Sequence, residues 1–234
     1  MLLDAVTSAG VGSFVFSSSA AVYGAPDVDR VDEGLTCRPV NPCGRTKLIG
    51  EQLVQDVAAA TGLRYVSLRY FNVAGCARSG LADLAESNLV PMVFRRLAQR
   101  RPPVLFGDDY PTPDGTCVRD FVHVADIAAA HVRAASRLTE GSVAGLVANV
   151  GRGEGFSVRE MVGAIRAVTG TSDQEWAEPV VAPRRPGDPA RVVAAADTIA
   201  RTLGWSARFG LEDMVRSAWA GWRETRPAGT SAAT

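Results

Sequence analysis

The chain has 234 residues, 47% of them hydrophobic and 21% charged, which is typical of a globular protein with one sizeable core or two modest domains. Its 25 basic and 25 acidic side chains give a formal net charge of zero, so charge gives no reason to expect a nucleic-acid or membrane partner. No run approaches 18 consecutive apolar residues, and we therefore expect no transmembrane helix.

The first elements along the chain are a helix and two strands. Residues 1–10 carry Asp4 within a short apolar run that has no basic start, which indicates a helix and not a signal peptide. Residues 13–19, SFVFSSS, predict a buried strand that ends in polar side chains. Residues 63–75, LRYVSLRYFNVAG, predict a second buried strand that runs into a loop.

A helix is predicted between these strands, over residues 45–60, and Gly62 is a suitable stop for it. We assign its apolar residues to a single face: Leu48, Ile49, Leu53, Val54 and Val57. The order strand, helix, strand indicates a βαβ unit, and therefore an α/β fold with a parallel sheet.

The second half of the chain continues the alternation. Its predicted elements are a helix after Asn88, a strand in PVLFG (103–107), a loop in GDDYPTPDGT (107–116), a helix in ADIAAAHVRAASRL (125–138) and a strand in GLVANVG (145–151). The sequence SVRE (157–160) is a capping box that opens a helix ending at Gly170. Two more helices are expected within 171–225, and the tail 226–234 is expected to be disordered.

A glycine-rich turn of the G-x-G-x-x-G type normally follows the first strand of a dinucleotide-binding sheet. No such turn lies near residue 1. The sequence GRGEG (151–155) has part of this spacing, but it follows a late strand and precedes the capping box. We therefore interpret its glycines as loop residues.

Polar side chains gather where predicted parallel strands end. Residues 17–19 are a serine run, Asn72 follows the second strand, and Cys43 and Lys47 stand at the start of the intervening helix. Residues i and i+4 share a helix face, so this cysteine and lysine should point at the same place. Each feature alone has a structural explanation, as a cap, a turn or a solvated side chain. Their convergence at one sheet edge favours a ligand site.

Several motifs together resemble the UDP-glucose 4-epimerase family of extended short-chain dehydrogenase/reductases. They are FVFSSSAAVYG, NPCGRTKLIGEQL, LRYFNVAG, FGDDYPTPDGTCVRDFVHVADIAAAH and APRRPGD. The resemblance implies a partial Rossmann-like parallel sheet with a smaller C-terminal α/β substrate domain. It assigns residues 1–75, with 118–135 returning to them, to the NAD-binding domain, and residues 76–225 to the UDP-sugar domain.

The family's chemistry is the reversible inversion of C4 in UDP-glucose and UDP-galactose through a 4-keto intermediate, with NAD as the hydride carrier. By resemblance, Ser19, Cys43 and Lys47 occupy the catalytic positions, and Ser19, Lys47 and Phe71 contact the cofactor. The substrate-binding positions implied by the resemblance are Asn72, Asn88, Leu89, Phe106, Arg119, Arg185 and Asp188. The two arginines would hold the pyrophosphate by forked, charge-assisted hydrogen bonds.

The sequence departs from the family at Cys43, which stands where the family has a tyrosine base. A thiol is more acidic than a phenol, with reference pKa values of about 8.5 and about 10. It is also shorter, and a general base must come within roughly 2.6–3.2 Å of its proton. We expect a large loss of rate, and we do not expect covalent catalysis by this cysteine.

A second departure concerns length. The resemblance places Met1 in the helix before the serine-ended strand, so roughly 90–120 residues of the NAD-binding half are expected to lie outside this sequence. A gene start assigned too far downstream, a natural truncation and a partner that supplies the missing half all remain open. The alternative function is therefore a catalytically impaired UDP-sugar-binding protein that cannot hold NAD by itself.

The remaining expectations are less specific. The four cysteines lack C-x-x-C spacing and form no metal pattern with the two histidines, so we expect no metal and a reducing, cytoplasmic location. His123 and His131 are interpreted as fold residues. Val192 falls at a pocket position by resemblance, where a small side chain would admit N-acetylated sugars. A homodimer is one option for assembly.

Overall fold

The computed structural model describes residues 2–78, 80–85 and 87–225. The predicted disordered tail lies outside the described residues. In chain order the helices are α1 (Leu2–Ser8), α2 (Pro42–Thr61), α3 (Leu89–Ala98), α4 (Val124–Thr139), α5 (Val158–Thr169), α6 (Asp197–Leu203) and α7 (Leu211–Thr225). The strands are β1 (Ser13–Ser19), β2 (Arg64–Tyr70), β3 (Asn72–Ala74), β4 (Val104–Phe106), β5 (Val118–Arg119), β6 (Phe121–His123), β7 (Gly145–Val150), β8 (Phe156–Ser157), β9 (Val180–Ala182) and β10 (Arg191–Val192).

The main sheet consists of three parallel strands in the order β1-β2-β7. Helix α2 connects β1 to β2, which confirms the predicted βαβ unit and the α/β fold. Ser19 pairs with Tyr70, and Tyr70 pairs with Val150. The carboxyl ends of all three strands therefore lie at one edge, where ligands bind in parallel sheets.

Three small sheets complete the strand pairing of the described residues. Strands β3 and β6 pair in parallel, as do β4 and β9, while β5 lies between β10 and β8. The β3–β6 pair begins just beyond the end of β2. It therefore extends the polar edge of the main sheet toward the second half of the chain.

Helix α2 begins three residues earlier than predicted, at Pro42. The Asn41 side chain accepts a hydrogen bond from the Gly44 N–H at 2.8 Å, and proline is favoured in the first turn of a helix. Gly62 ends the helix in the left-handed conformation, as predicted. The early start places Cys43 in the first helical turn.

The prediction of one apolar face on α2 is wrong. Ile49 and Leu53 are 48% and 52% exposed, whereas the buried residues of this helix are Gly44, Glu51 and Val54. At 100° per residue, positions 49 and 53 lie on the side opposite Glu51. The helix therefore meets the sheet through the Glu51 carboxylate, while Gly44 lies against the carbonyl of Ala21, just after β1.

The prediction that residues 13–19 form a buried strand is also only partly correct. The strand forms as expected, but Ser18 is its only buried residue. Among the described residues, β1 pairs with β2 on one side alone. A strand with one neighbour keeps part of its surface exposed.

Two larger hydrophobic cores, beside a smaller cluster around Val22 and Phe71, hold the described elements together. One lies between β2, β7, α4 and α6 and is centred on residues such as Leu68 and Ile199. The other gathers α3, α5 and α7 around Phe94, whose ring lies 5.1 Å from that of Trp219. The predicted capping box is present at the start of α5, where Ser157 and Glu160 satisfy each other's backbone N–H groups.

Among the residues described, none of the helices is both long and apolar enough to span a bilayer. The same residues contain no group of three or more histidine, cysteine or acidic side chains positioned to hold a metal ion. All four cysteines are unpaired.

Candidate functional site

A cavity of about 840 Å³ opens at the carboxyl edge of the main sheet. Strands β1 and β2, the start of α2 and the start of α3 all contribute to its wall. Nine of the residues predicted from sequence line it: Ser19, Cys43, Lys47, Phe71, Asn72, Asn88, Leu89, Arg119 and Asp188. Residues as far apart in sequence as 19 and 188 thus meet around one space.

A second cavity of about 170 Å³ adjoins the first. The two share five of the predicted residues: Asn72, Asn88, Leu89, Arg119 and Asp188. The smaller cavity adds the two remaining ones, Phe106 and Arg185. The structure therefore brings all of the predicted site residues to two adjoining cavities.

One end of the site is formed by the start of α2 and the end of β1. Lys47 Nζ donates a hydrogen bond to the carbonyl of Ser17 at 2.8 Å, which fixes the ammonium beside the last residues of the strand. Ser19 Oγ accepts from the N–H of Ala21 at 3.1 Å and caps a short 3₁₀ helix. Cys43 is exposed, and its side chain stands on the same cavity as both.

The opposite end of the site is basic. Arg119 forms a salt bridge with Asp188, with 2.8 Å between its guanidinium nitrogen and the carboxylate oxygen. Only 11% of the Arg119 side chain is exposed. Arg185 lies over the Phe106 ring, with 3.8 Å between the guanidinium carbon and the ring centre. Two guanidinium groups beside two cavities form a site suited to a phosphorylated ligand.

A buried polar network lies behind the start of α2 and the end of β1, and sequence reasoning missed it. Arg69 donates to both carboxylate oxygens of Glu51, at 2.9 and 2.6 Å, and to the Tyr23 hydroxyl at 2.8 Å. The hydroxyl of Tyr23 donates to Asn149 Oδ1 at 2.7 Å, and that of Ser18 donates to Glu51. Burial raises the pKa of Tyr23 to about 12, although Arg69 acts in the opposite direction.

Two signals in the sequence point to this network. Glu51 lies one helical turn after Lys47, and Arg69 lies within a strand that is predicted to be buried. A charged residue in such a strand is seldom buried without a partner. The pairing itself, across 18 residues, is not visible without the fold.

The loop GRGEG (151–155) lies between β7 and β8 and confirms the interpretation of its glycines as loop residues. Its N–H groups at Arg152 and Gly153 donate to the buried carboxylate of Asp120, at 2.8 and 2.9 Å. Burial raises the pKa of Asp120 to about 6, whereas these hydrogen bonds favour the charged form.

Both histidines make contacts within the fold. His123 Nδ1 accepts from the N–H of Ala125 at 2.9 Å and caps α4, while burial lowers the pKa of its ring. His131 Nε2 lies 2.6 Å from the Tyr70 hydroxyl. Val192 is buried and lines the larger cavity.

Comparison with known proteins gives a consistent result. Residues 1–151 match the model of the NAD dependent epimerase/dehydratase family. The UDP-glucose 4-epimerase of Azospirillum brasilense is 47% identical over 222 residues, which are 93% of this chain and 62% of that protein. The UDP-glucose 4-epimerase of Streptomyces lividans is 45% identical, with coverage of 97% of this chain and 68% of that protein.

A solved structure shares the fold. It is a UDP-glucose 4-epimerase from Stenotrophomonas maltophila with bound NAD and formylated UDP-arabinopyranose. The TM-score is 0.88 at 42% identity, and the match covers 95% of this chain and 66% of that chain. The present chain thus spans about two thirds of the length of the relatives it matches. It belongs to the NAD dependent epimerase/dehydratase family, in which these relatives are UDP-glucose 4-epimerases.

Proposed function

We propose that this chain carries the UDP-sugar site and the catalytic positions of a UDP-glucose 4-epimerase, which interconverts UDP-glucose and UDP-galactose. The observation that carries the proposal is the convergence of all the predicted site residues on two adjoining cavities. One end of the site is basic, as a pyrophosphate requires. The other holds a lysine, a serine and a cysteine at the end of a parallel sheet.

In this proposal the basic end binds the nucleotide part of the substrate. Arg119 and Arg185 grip the pyrophosphate, and Asp188 accepts from a ribose hydroxyl. Asn88, Leu89 and Phe106 line the wall beside the uracil and ribose. Asn72, which lines both cavities, then lies between the nucleotide and the hexose and hydrogen-bonds one of them.

The other end, formed by the start of α2 and the end of β1, acts on the 4-hydroxyl of the hexose. Ser19 hydrogen-bonds the reacting oxygen, and Lys47 supplies a positive charge that favours its ionised form. Cys43 stands in the position of the base. Its thiol is too short to reach the hydroxyl directly, so the proton passes through Ser19 or one water.

NAD is the cofactor that this proposal implies, and it supplies the hydride acceptor for C4 when bound. Ser19, Lys47 and Phe71 line the larger cavity and fit the nicotinamide and its ribose. The residues from 1 to 234 contain no G-x-G-x-x-G turn for the cofactor's pyrophosphate. The residues present therefore fit only the nicotinamide end of the cofactor. Residues 1–75 with 118–135, and residues 76–225, remain our proposed division into cofactor and substrate domains.

Arg119→Ala and Arg185→Ala should each weaken binding of UDP about 10- to 100-fold. A hydrogen bond to a charged group contributes about 1.5–3 kcal/mol, which corresponds to a change of that size in affinity. Isothermal titration calorimetry of the purified chain with UDP measures the effect. Arg216→Ala is the matched control, since Arg216 is 65% exposed and pairs with Glu212 on the surface of α7. Equal affinities in all four proteins would contradict the proposed nucleotide site.

The second candidate function is UDP-sugar binding without turnover, and Cys43 is the observation that favours it. A chromatographic assay that follows conversion of UDP-galactose to UDP-glucose, with NAD added, separates the two candidates. Conversion supports the epimerase. Binding of UDP-glucose without conversion supports the impaired protein.

We also propose that the chain forms a homodimer through the exposed face of α2. Ile49 and Leu53 stand one turn apart on that face and are each about half exposed. Leu53→Lys should therefore shift the protein from dimer to monomer in light scattering. Val132→Lys is the control, since Val132 is an apolar residue on α4 that is 65% exposed. A wild-type chain that is monomeric at about 100 μM would remove this proposal.

The four unpaired cysteines support a cytoplasmic location, because reducing compartments keep thiols free. Fractionation of cells that express the chain checks this placement.

A further inference from the structure

Asp120 has a completely buried side chain that none of the catalytic or binding roles above uses. It stands between β5 and β6, directly after Arg119. Its carboxylate accepts three backbone hydrogen bonds, from the N–H groups of Arg152 at 2.8 Å, Gly153 at 2.9 Å and Ala194 at 3.2 Å. One side chain thus ties the loop after β7 and the segment after β10 to this point of the chain.

The main chain of Asp120 is held as firmly as its side chain. Its N–H donates to the carbonyl of Val192 at 3.1 Å, and its carbonyl accepts from the N–H of Asn72 at 2.9 Å. Asn72, Val192 and Arg119 all line the larger cavity. The backbone of Asp120 is therefore joined to three residues of the candidate substrate site, by hydrogen bonds to Asn72 and Val192 and by the peptide bond to Arg119.

The carboxylate of Asp120 is closely packed against Gly151 and Ala194. A methyl group added at Gly151 would come within 2.7 Å of Asp120 Oδ2 and within 2.6 Å of the Ala194 side chain. A shift of the carboxylate would consequently displace the 151–153 loop or the 192–194 segment. Close packing of this kind transmits displacements instead of absorbing them.

We propose that Asp120 is a positioning residue for UDP-sugar binding. It holds Arg119 where its guanidinium meets the pyrophosphate, and it holds Asn72 and Val192 at fixed positions relative to Arg119. This inference rests on the proposed function. Asp120 contacts no substrate itself and acts through Arg119.

The chemistry of the side chain agrees with this role. A buried carboxylate is costly unless several donors satisfy it, and buried backbone N–H groups are costly unless an acceptor meets them. Asp120 satisfies both requirements together. An apolar residue in its place would leave three N–H groups without an acceptor, and the two segments that they belong to would separate from β5.

The test is Asp120→Asn, with the affinity for UDP-glucose measured by calorimetry. The amide replaces one acceptor oxygen with an N–H₂ donor, which faces backbone donors. We expect the dissociation constant to rise tenfold or more. The control is Asp126→Asn: Asp126 is equally buried, its carboxylate accepts from the N–H groups of Arg208 and Phe209, and it lines neither cavity. This control should lower the melting temperature while changing the dissociation constant less than twofold.

A double-mutant cycle separates positioning from a general loss of structure. If Asp120 acts through Arg119, then Asp120→Asn should raise the dissociation constant by a clearly smaller factor in an Arg119→Ala background than in the wild type. The same factor in both backgrounds would overturn the inference. So would an unchanged affinity in Asp120→Asn, or an equal loss in Asp126→Asn.

The outcomes also distinguish this inference from the proposed function. A wild-type chain that fails to bind UDP-glucose overturns both. A wild-type chain that binds, with a variant that binds equally well, overturns the role of Asp120 alone.

If Asp120→Asn does not melt cooperatively, Gly153→Ala replaces it as the test variant. The φ angle at Gly153 is +74°, so an alanine there strains one of the three N–H donors to the Asp120 carboxylate. A threefold or larger rise in the dissociation constant then supports the inference, and an unchanged value overturns it.

Discussion

Replacing Cys43 with tyrosine should raise the rate of conversion between UDP-galactose and UDP-glucose by about 100- to 10,000-fold, the usual contribution of a well-placed general base. The position is suited to a base. It lies in the first turn of α2, is exposed, and lines the larger cavity together with Ser19 and Lys47. In our proposal the thiol is too short to reach the 4-hydroxyl, and a phenol extends several ångströms further.

Room for the larger side chain is present. The cavity holds about 840 Å³, and Cys43 lies on its wall with an exposed side chain, so a tyrosine ring enters without displacing the core. Lys47 is held next to the end of β1 by the Ser17 carbonyl, where its charge favours the phenolate. The lysine and the serine therefore already provide the surroundings that a tyrosine base requires.

The measurement is the initial rate of UDP-galactose conversion, with NAD added to both proteins. Cys43→Phe is the matched control, because it adds the same ring without the hydroxyl and should therefore give no gain in rate. An equal gain in both variants would attribute the effect to packing. No gain in Cys43→Tyr, in a protein that binds both UDP-glucose and NAD, would remove position 43 from the catalytic site.

Much of this site was predictable because its residues sit at positions that local sequence controls. Ser19 ends a strand, Lys47 lies one turn into a helix, and Asn72 follows the next strand. The carboxyl ends of parallel strands share one edge, so a pattern of strand, helix and strand suffices to bring these three together. The residues at the other end of the site, such as Arg185, were assigned only through the motif in which they occur.

The errors arose where burial depends on a partner that is distant in sequence. An apolar pattern predicts that α2 buries Ile49 and Leu53, but the sheet is covered by the face that carries Glu51. A glutamate is buried here because Arg69 of β2 meets both of its oxygens. The spacing of apolar residues describes one helix or strand at a time. It contains no information about a charged residue on the neighbouring element.

The three hydrogen bonds to the Asp120 carboxylate were not predicted, for a related reason. An aspartate between two short strands resembles a turn residue, and GRGEG (151–155) resembles an ordinary loop. Only the fold shows that the N–H groups of the loop end on this carboxylate. Side chain to backbone bonds over more than 30 residues leave no periodic trace in a sequence.

The buried pair of Glu51 and Arg69 leads to the largest expected change in stability. Glu51→Ala should lower the free energy of unfolding by about 3–5 kcal/mol, since it leaves the Arg69 guanidinium buried without its counter-charge. Both side chains are more than nine-tenths buried, at 1% and 7% exposure. The loss also removes the acceptor of the Ser18 hydroxyl, and Ser18 lies between Ser17 and Ser19 at the end of β1.

Urea unfolding followed by circular dichroism measures this change. Glu212→Ala is the control, because Glu212 forms a similar carboxylate–guanidinium pair with Arg216 but is 68% exposed, and exposed pairs contribute at most about 1 kcal/mol. The double variant Glu51→Leu, Arg69→Leu should lose less than Glu51→Ala, because it leaves no charge unpaired. A loss below about 1 kcal/mol in Glu51→Ala would show that water or another group satisfies Arg69 when its partner is absent, and the network would then not be what fixes α2 on the sheet.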